Sequence, residues 1–266
     1  MNPTANETPP PATAETTCQG CGARFPYVPI IFGEKDLALS VEKYCPDCTA
    51  NLEHAAEEQS RARAMAERLD LFRQMVPPAL WPKSMDPDGT DIDNPDFNRR
   101  LWQLVSRWRP TKRGDRIALI GPAGQCKTRC LALLAYSLIM RGNRLMWTSG
   151  MRLHDEATFH LRSKDRTTQA KALAYLEECK TAPWLFVDEL GGNALWSADM
   201  ESQLFSILDH RMTNFLPMAF TSNRQPDDLR KLITKVDPGA FIGRLINRAT
   251  IFDCTPDPQP EIPCFT

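Results

Sequence analysis

The chain has 266 residues, 42% of them hydrophobic and 24% charged, which leaves room for one α/β domain of ordinary size and a smaller module. Its longest apolar run, Leu131–Met140, is about half a membrane span and closes on Arg141, and residues 1–17 lack both a basic start and an apolar core. The expectation is a cytoplasmic protein with neither a membrane span nor a secretory signal, and with no membrane partner. Nine cysteines, an odd number, rule out complete internal disulfide pairing. Four of them fall into two C-x-x-C pairs, the pattern of a reducing compartment with one metal site.

In chain order, residues 1–17, MNPTANETPPPATAETT, read as a disordered tail. Residues 18–50 hold Cys18, Cys21, Cys45 and Cys48, two pairs separated by 23 residues, with strand-like pieces around Tyr27–Phe32. Four thiolates at this spacing close a tetrahedral zinc site, which supplies folding energy that so short a segment cannot draw from a core. Residues 51–76 read as a linker helix. Its first half is almost all Glu, Arg and Ala, and its second half carries Met65, Leu69, Phe72 and Val76 as an apolar stripe at helical spacing. The stripe either anchors a protein partner or packs on the rest of the chain. Residues 77–96, rich in Pro and Asp, read as a second linker.

The remainder, residues 97–254, alternates. A short helix around Phe97–Trp108 precedes a strand at Arg116–Ile120, a helix at Lys127–Arg141 and a strand at Arg144–Thr148. Met151–Lys180 is mostly helical, Trp184–Asp188 a buried strand, Ala198–Arg211 a helix and Pro217–Ser222 a strand. Asp227–Arg248 is helical with a break near Pro238, Thr250–Asp253 is a last strand, and residues 255–266 form a Pro-rich tail. Five short apolar strands separated by helices imply an α/β fold with a five-stranded parallel sheet covered by helices on both faces. In such sheets ligands sit at the carboxyl ends of the strands.

The chemistry falls there. The first core strand runs into Gly121-Pro122-Ala123-Gly124-Gln125-Cys126-Lys127-Thr128-Arg129 and then a helix. This is the P-loop arrangement, in which backbone N–H groups and a helix N-terminus wrap phosphates, Lys127 reaches the β/γ oxygens and the Thr128 hydroxyl holds magnesium. One position departs, because Cys126 stands where the pattern has glycine, and its side chain is expected to weaken binding or slow hydrolysis. The strand Trp184-Leu-Phe-Val-Asp188-Glu189 ends in two acids. Asp188 suits magnesium, and Glu189 suits orienting and deprotonating an attacking water. Asn223, ending the strand at Pro217–Ser222, is placed to position the water or the γ-phosphate. Arg244 and Arg248, four apart near the end, share one helical face and are candidates for an arginine finger.

The net charge of −1 hides an asymmetry: residues 97–254 carry 24 Lys and Arg against 15 Asp and Glu, and residues 1–96 carry 8 against 16. A basic core suits a polyanion, and an acidic front a different partner. Seven of the bases, Arg99, Arg100, Arg107, Arg109, Lys112, Arg113 and Arg116, lead into the first strand, interleaved with Trp102 and Trp108. Such aromatics could stack on the bases of a single strand.

Strand, P-loop, Asp-Glu strand, Ser-Asn strand and a final Arg-Leu helix, in this order, resemble the AAA+ clade of bacterial replicative helicase loaders of the DnaC and DnaI type and their phage relatives. Transposition helper ATPases of the IstB type are close kin. The resemblance covers about half of the chain. It implies a lidless AAA+ core preceded by a small zinc-ribbon-like module and a helical linker. It implies that Lys127 and Thr128 bind ATP and Mg, that Asp188 and Glu189 are the hydrolytic acids, that Asn223 is the first sensor and that Arg244 is the finger. A homo-oligomer, single-stranded DNA and a replicative helicase are the partners it implies, with transposition and a nucleotide-binding adaptor of negligible hydrolysis as alternatives.

Overall fold

The structure is a computed structural model that describes residues 13–29, 31–32, 35–36, 43–81, 98–109, 113–192 and 196–255. It divides into two units, Met1–Ala66 and Glu67–Thr266. The tail at residues 256–266 and all but the start of the linker at 77–96 lie outside the described residues.

In the first unit, β1 (Ala14–Thr17) pairs antiparallel with β2 (Arg24–Tyr27), Ala14 opposite Tyr27 and Thr17 opposite Arg24. The expectation of a disordered tail over 1–17 therefore fails for its last four residues, where two threonines suit a pleated ladder and the partner strand follows the short loop 18–23. A second small hairpin joins β3 (Ile31–Phe32) to β4 (Lys35–Asp36). Helix α1 (Pro46–Met75) begins five residues before the expected 51, because Pro46 suits the first helical turn and Asp47 complements its positive end. Phe25 packs with Cys18 and Cys45 as a small core of its own.

The division between units falls within α1. In the second unit the end of α1 packs on the core: Phe72 and Val76 are buried, Leu69 is partly so, and Phe72 meets Tyr136 edge-on at 5.2 Å. Arg68 donates to the carbonyl of Met140 at 2.8 Å. Three of the four stripe residues are thus spent on this chain's own core, and only Met65 is exposed.

The sheet has the order β6-β7-β8-β5-β9, with every neighbouring pair parallel. Its strands are β5 (Arg116–Ile120), β6 (Met146–Ser149), β7 (Leu185–Asp188), β8 (Met218–Ser222) and β9 (Ala249–Asp253). Alternation along the strands sends side chains to opposite faces. Ile117, Leu119, Phe186 and Ala219 join the face covered by α2 (Arg99–Arg107) and α3 (Lys127–Met140). Ala118, Ile120, Leu185, Val187, Met218 and Phe220 join the other. Covering that second face are α4 (Gly150–Asp155), α5 (Arg166–Thr181), α6 (Ala198–Thr213), α7 (Pro226–Leu232) and α8 (Pro238–Ile246). Strands β5 to β8 are buried on both faces, which is why they read as continuous apolar runs, whereas the edge strand β9 is partly exposed.

Local chemistry sets the ends of these helices. Ser149, Asp165, Ser197 and Asp237 cap α4, α5, α6 and α8 by accepting backbone N–H groups of their first turns. Between α4 and α5 the chain makes one wide helical turn, Glu156–His160. The break near Pro238 separates α7 from α8, and buried Glu201 of α6 fills it by accepting from Thr234, Lys235 and Val236.

Candidate nucleotide and metal sites

The P-loop joins β5 to α3 and needs its glycine at Gly121. A side chain there would meet the Cys254 carbonyl carbon at 2.9 Å, and the residue's φ is 150°. Cys126, just before α3, takes the left-handed conformation at φ 58° that the missing glycine would adopt freely. Lys127 is 6% exposed and donates to the carbonyls of Gly121 and Pro122 at 2.8 and 2.6 Å. Burial lowers its pKa, opposed by the nearby Cys254, Asp188 and Glu189.

At the ends of β7 and β8 the acids are held by hydroxyls. Thr128 and Thr221 both donate to Asp188 Oδ1, at 2.8 and 2.6 Å. The Thr221 oxygen in turn accepts the Glu189 N–H at 2.7 Å. Glu189 itself has φ 56°, a left-handed conformation, and its carbonyl is so near Gly150 that a Cβ there would sit 2.6 Å away. Ser222 donates to the Leu190 carbonyl and Arg224 to that of Gly191, each at 2.8 Å, so the turn after β7 is stitched to β8.

A cavity of about 410 Å³ brings together Gly124, Lys127, Thr128, Glu189, Thr221 and Asn223. Ala123, Gln125, Cys126 and Arg129 line it as well. Two contributors escaped the sequence reading. Thr221 was part of a polar strand end with no mark of its two partners. Leu80 also lines the cavity, from a short turn at Pro78–Leu80 that Arg129 ties down through the Ala79 carbonyl at 3.0 Å. An expected linker thus reaches the site.

The four cysteines of the first unit converge, with all four sulfurs within 4.8 Å of one another. Cys18 Sγ accepts the N–H groups of Gly20 and Cys45 at 3.3 and 3.2 Å. Burial raises the Cys18 pKa, but these N–H donors and that of Cys21 outweigh it and bring it down to about 6. The Cys48 thiol, facing Cys21, Cys18 and Cys45, is pushed up to about 12. Four thiols so close cannot all ionise unless a cation sits among them. The cluster fits a zinc-ribbon-like module, in donor type and in sulfur separation.

Among solved structures, one of DnaI has a TM-score of 0.50 and 25% identity, covering 65% of this chain and 94% of that one. The DnaC helicase loader matches with a TM-score of 0.50 and 17% identity over 66% of this chain and 99% of that one, a likeness of fold alone. The core has the AAA+ P-loop fold. In sequence, the chain is 26% identical over 198 residues to the replicative helicase loader DnaI of Bacillus subtilis strain 168, which is 74% of this chain. It spans 59% of that relative's length. No protein-family model matches the chain.

On the AAA+ core the remaining candidates separate. Arg244 lies on α8, donating from Nε to Asp209 Oδ1 at 2.6 Å and from a terminal nitrogen to the Ala240 carbonyl at 3.2 Å, with its guanidinium 4.4 Å from the Phe205 ring centre. Arg248 does not share its helical face: α8 ends at Ile246, and Arg248 turns left-handed at φ 59° to donate to the Arg113 carbonyl. The basic cluster is also revised. Arg116 is buried and donates to the Leu245 carbonyl, Trp102 is buried in the core, and Trp108 donates to Thr250 Oγ1 at 3.0 Å. Neither indole is presented as a stacking platform.

Proposed function

We propose that this chain is a cytoplasmic helicase loader driven by ATP. It binds ATP with magnesium, hydrolyses it slowly in a homo-oligomer, holds single-stranded DNA on its basic core and engages a replicative helicase. The likeness to DnaI supports the loader role. The observation that carries the ATPase role is the junction of Thr128 with Asp188, beside buried Lys127 and directly before Glu189. Lys127 takes the β/γ phosphates, Thr128 and Asp188 hold magnesium, Glu189 activates water and Asn223 orients it. Arg244 belongs to the neighbour's site, from where it stabilises transition-state charge. Cys18, Cys21, Cys45 and Cys48 hold zinc, which ties the first unit together.

Two variants test the division of labour. Lys127→Ala abolishes binding of a fluorescent ATP analogue. Glu189→Gln keeps binding and stops phosphate release, since the amide cannot accept the water's proton. Normal hydrolysis by Glu189→Gln would place the base elsewhere. A nucleotide-binding adaptor of negligible turnover is the second reading, favoured by the side chain of Cys126 in the left-handed position of the loop. Turnover measured with and without single-stranded DNA separates the two.

A further inference from the structure

We propose that Thr221 is the positioning residue that couples the magnesium-holding acid to the water-activating one, an inference that rests on the ATPase reading above. Thr221 sits on β8, 2% exposed, bonded to both Asp188, which ends β7, and Glu189, which follows it. The direction of its hydrogen bonds is fixed by its partners. A carboxylate can only accept and a backbone N–H can only donate, so the hydroxyl proton goes to Asp188 Oδ1 and the lone pair takes the Glu189 N–H.

The consequences for the two acids differ. On Asp188, the hydroxyls of Thr221 and Thr128 converge on a single oxygen. That fixes the rotation of the carboxylate. On Glu189, Thr221 holds both flanking peptide groups: its hydroxyl oxygen takes the Glu189 N–H, and its carbonyl takes the Leu190 N–H at 2.8 Å. This grip keeps Glu189 at φ 56°, a conformation that side-chain-bearing residues rarely adopt. One residue therefore orients the carboxylate proposed for magnesium and, with its own backbone carbonyl, the peptide groups that flank the proposed base. Its hydroxyl is engaged by these two acids, through which it acts.

Thr221→Val is nearly isosteric and removes donor and acceptor together, while Thr221→Ser keeps both. In the full-length protein, Thr221→Val lowers kcat about tenfold or more and raises the Mg²⁺ midpoint for binding of a fluorescent ATP analogue by a similar factor, as loss of an orienting partner does. KM for ATP moves less than about threefold. Thr221→Ser returns both readings to within about threefold of the unsubstituted protein. A Thr221→Val protein with unchanged kcat and Mg²⁺ midpoint overturns the proposal, as does a Thr221→Ser protein as impaired as Thr221→Val. If the unsubstituted protein binds the analogue but does not hydrolyse ATP, the ATPase reading falls, and the Mg²⁺ midpoints alone still decide on Thr221. An unsubstituted protein that binds no nucleotide removes both.

Discussion

Glu201 offers the sharpest test of how the core is held together. It has no solvent exposure, and its carboxylate accepts the N–H groups of Thr234, Lys235 and Val236 and the Thr234 hydroxyl, at 2.6 to 3.3 Å. These residues form the break between α7 and α8, so one carboxylate organises the approach to the helix that carries Arg244. Glu201→Ala would strand these donors. A fully buried unmet donor costs about 1–3 kcal/mol, and because Thr234 and Lys235 are exposed, water replaces part of the lost bonding and the total is roughly 4 kcal/mol. Glu201→Gln keeps the shape but exchanges charge-assisted bonds for weaker ones and turns an amide donor on other donors, for a loss of about 2 kcal/mol. For a domain of this size, at about 2–4 °C per kcal/mol, melting falls by roughly 8–16 °C for Ala and 4–8 °C for Gln.

The same group fixes a pH dependence. Burial raises the Glu201 pKa, but the N–H groups of Lys235, Thr234 and Val236 and the Thr234 hydroxyl outweigh it and hold it below the ordinary 4.5. A carboxyl depressed in the folded state stabilises fully above its unfolded pKa, and that stability is lost as pH falls through the folded one. The gap between the unsubstituted protein and Glu201→Gln is therefore widest at neutral pH and closes at acid pH, below about pH 4. Thermal unfolding followed by far-UV circular dichroism across this range reads it directly. A Gln variant that melts with the unsubstituted protein at neutral pH, or a gap that persists unchanged into acid, refutes the reasoning.

Other expectations follow from the two sites. Metal analysis of the purified protein finds one zinc per chain, and Cys45→Ser loses it; unchanged zinc content in that variant would remove the four-cysteine site. Cys126→Gly relieves a left-handed side-chain-bearing residue, worth about 1 kcal/mol after the added flexibility of glycine, and should tighten ATP binding or speed turnover. A loss instead would make the cysteine an adapted part of the loop. Mixing Arg244→Ala with Lys127→Ala subunits, each inactive alone, restores part of the ATPase if Arg244 acts in trans, whereas full activity of Arg244→Ala by itself excludes it as the finger.

The architecture was legible because four of the five sheet strands, β5 to β8, are buried on both faces. Apolar runs such as Leu185–Val187, ending in Asp188, have no other stable home, and strand–loop–helix order did the rest. Cysteine spacing likewise reported the cluster. What the sequence hid were contacts made by ordinary residues at long range. Thr221 meets Asp188 across 33 positions and Glu201 meets Thr234 across the same number, and neither spacing leaves a periodic trace. The stripe on α1 shows the opposite failure. Helical periodicity names a face that wants cover, but not whether the cover comes from a partner or, as for Phe72 and Val76, from the chain's own α3 and its neighbours.

Charge needs the same separation between count and placement. The core's excess of bases suggested a polyanion surface, yet Arg116 and Arg211 are both buried, and Arg211 donates to the carbonyls of Cys179, Lys180, Ala182 and Pro217. Burial lowers the pKa of Arg116 to about 10 and that of Arg211 to about 9, the latter also through Arg116. These two cations cap carbonyls and offer nothing to a phosphate. Arg162 pairs with Asp199. In the proposed reading, the surface left for DNA is narrower than the composition suggests and includes α2 and the residues after it, where Arg107, Arg109 and Arg113 are exposed. Binding of single-stranded DNA should therefore rest on phosphate contacts, with the buried Trp102 adding no stacking, and should weaken steeply as salt rises. Fluorescence anisotropy on the full-length protein, with Arg107→Glu and Arg109→Glu combined, tests this. Affinity that survives both the charge reversal and high salt would move the DNA surface elsewhere on the chain.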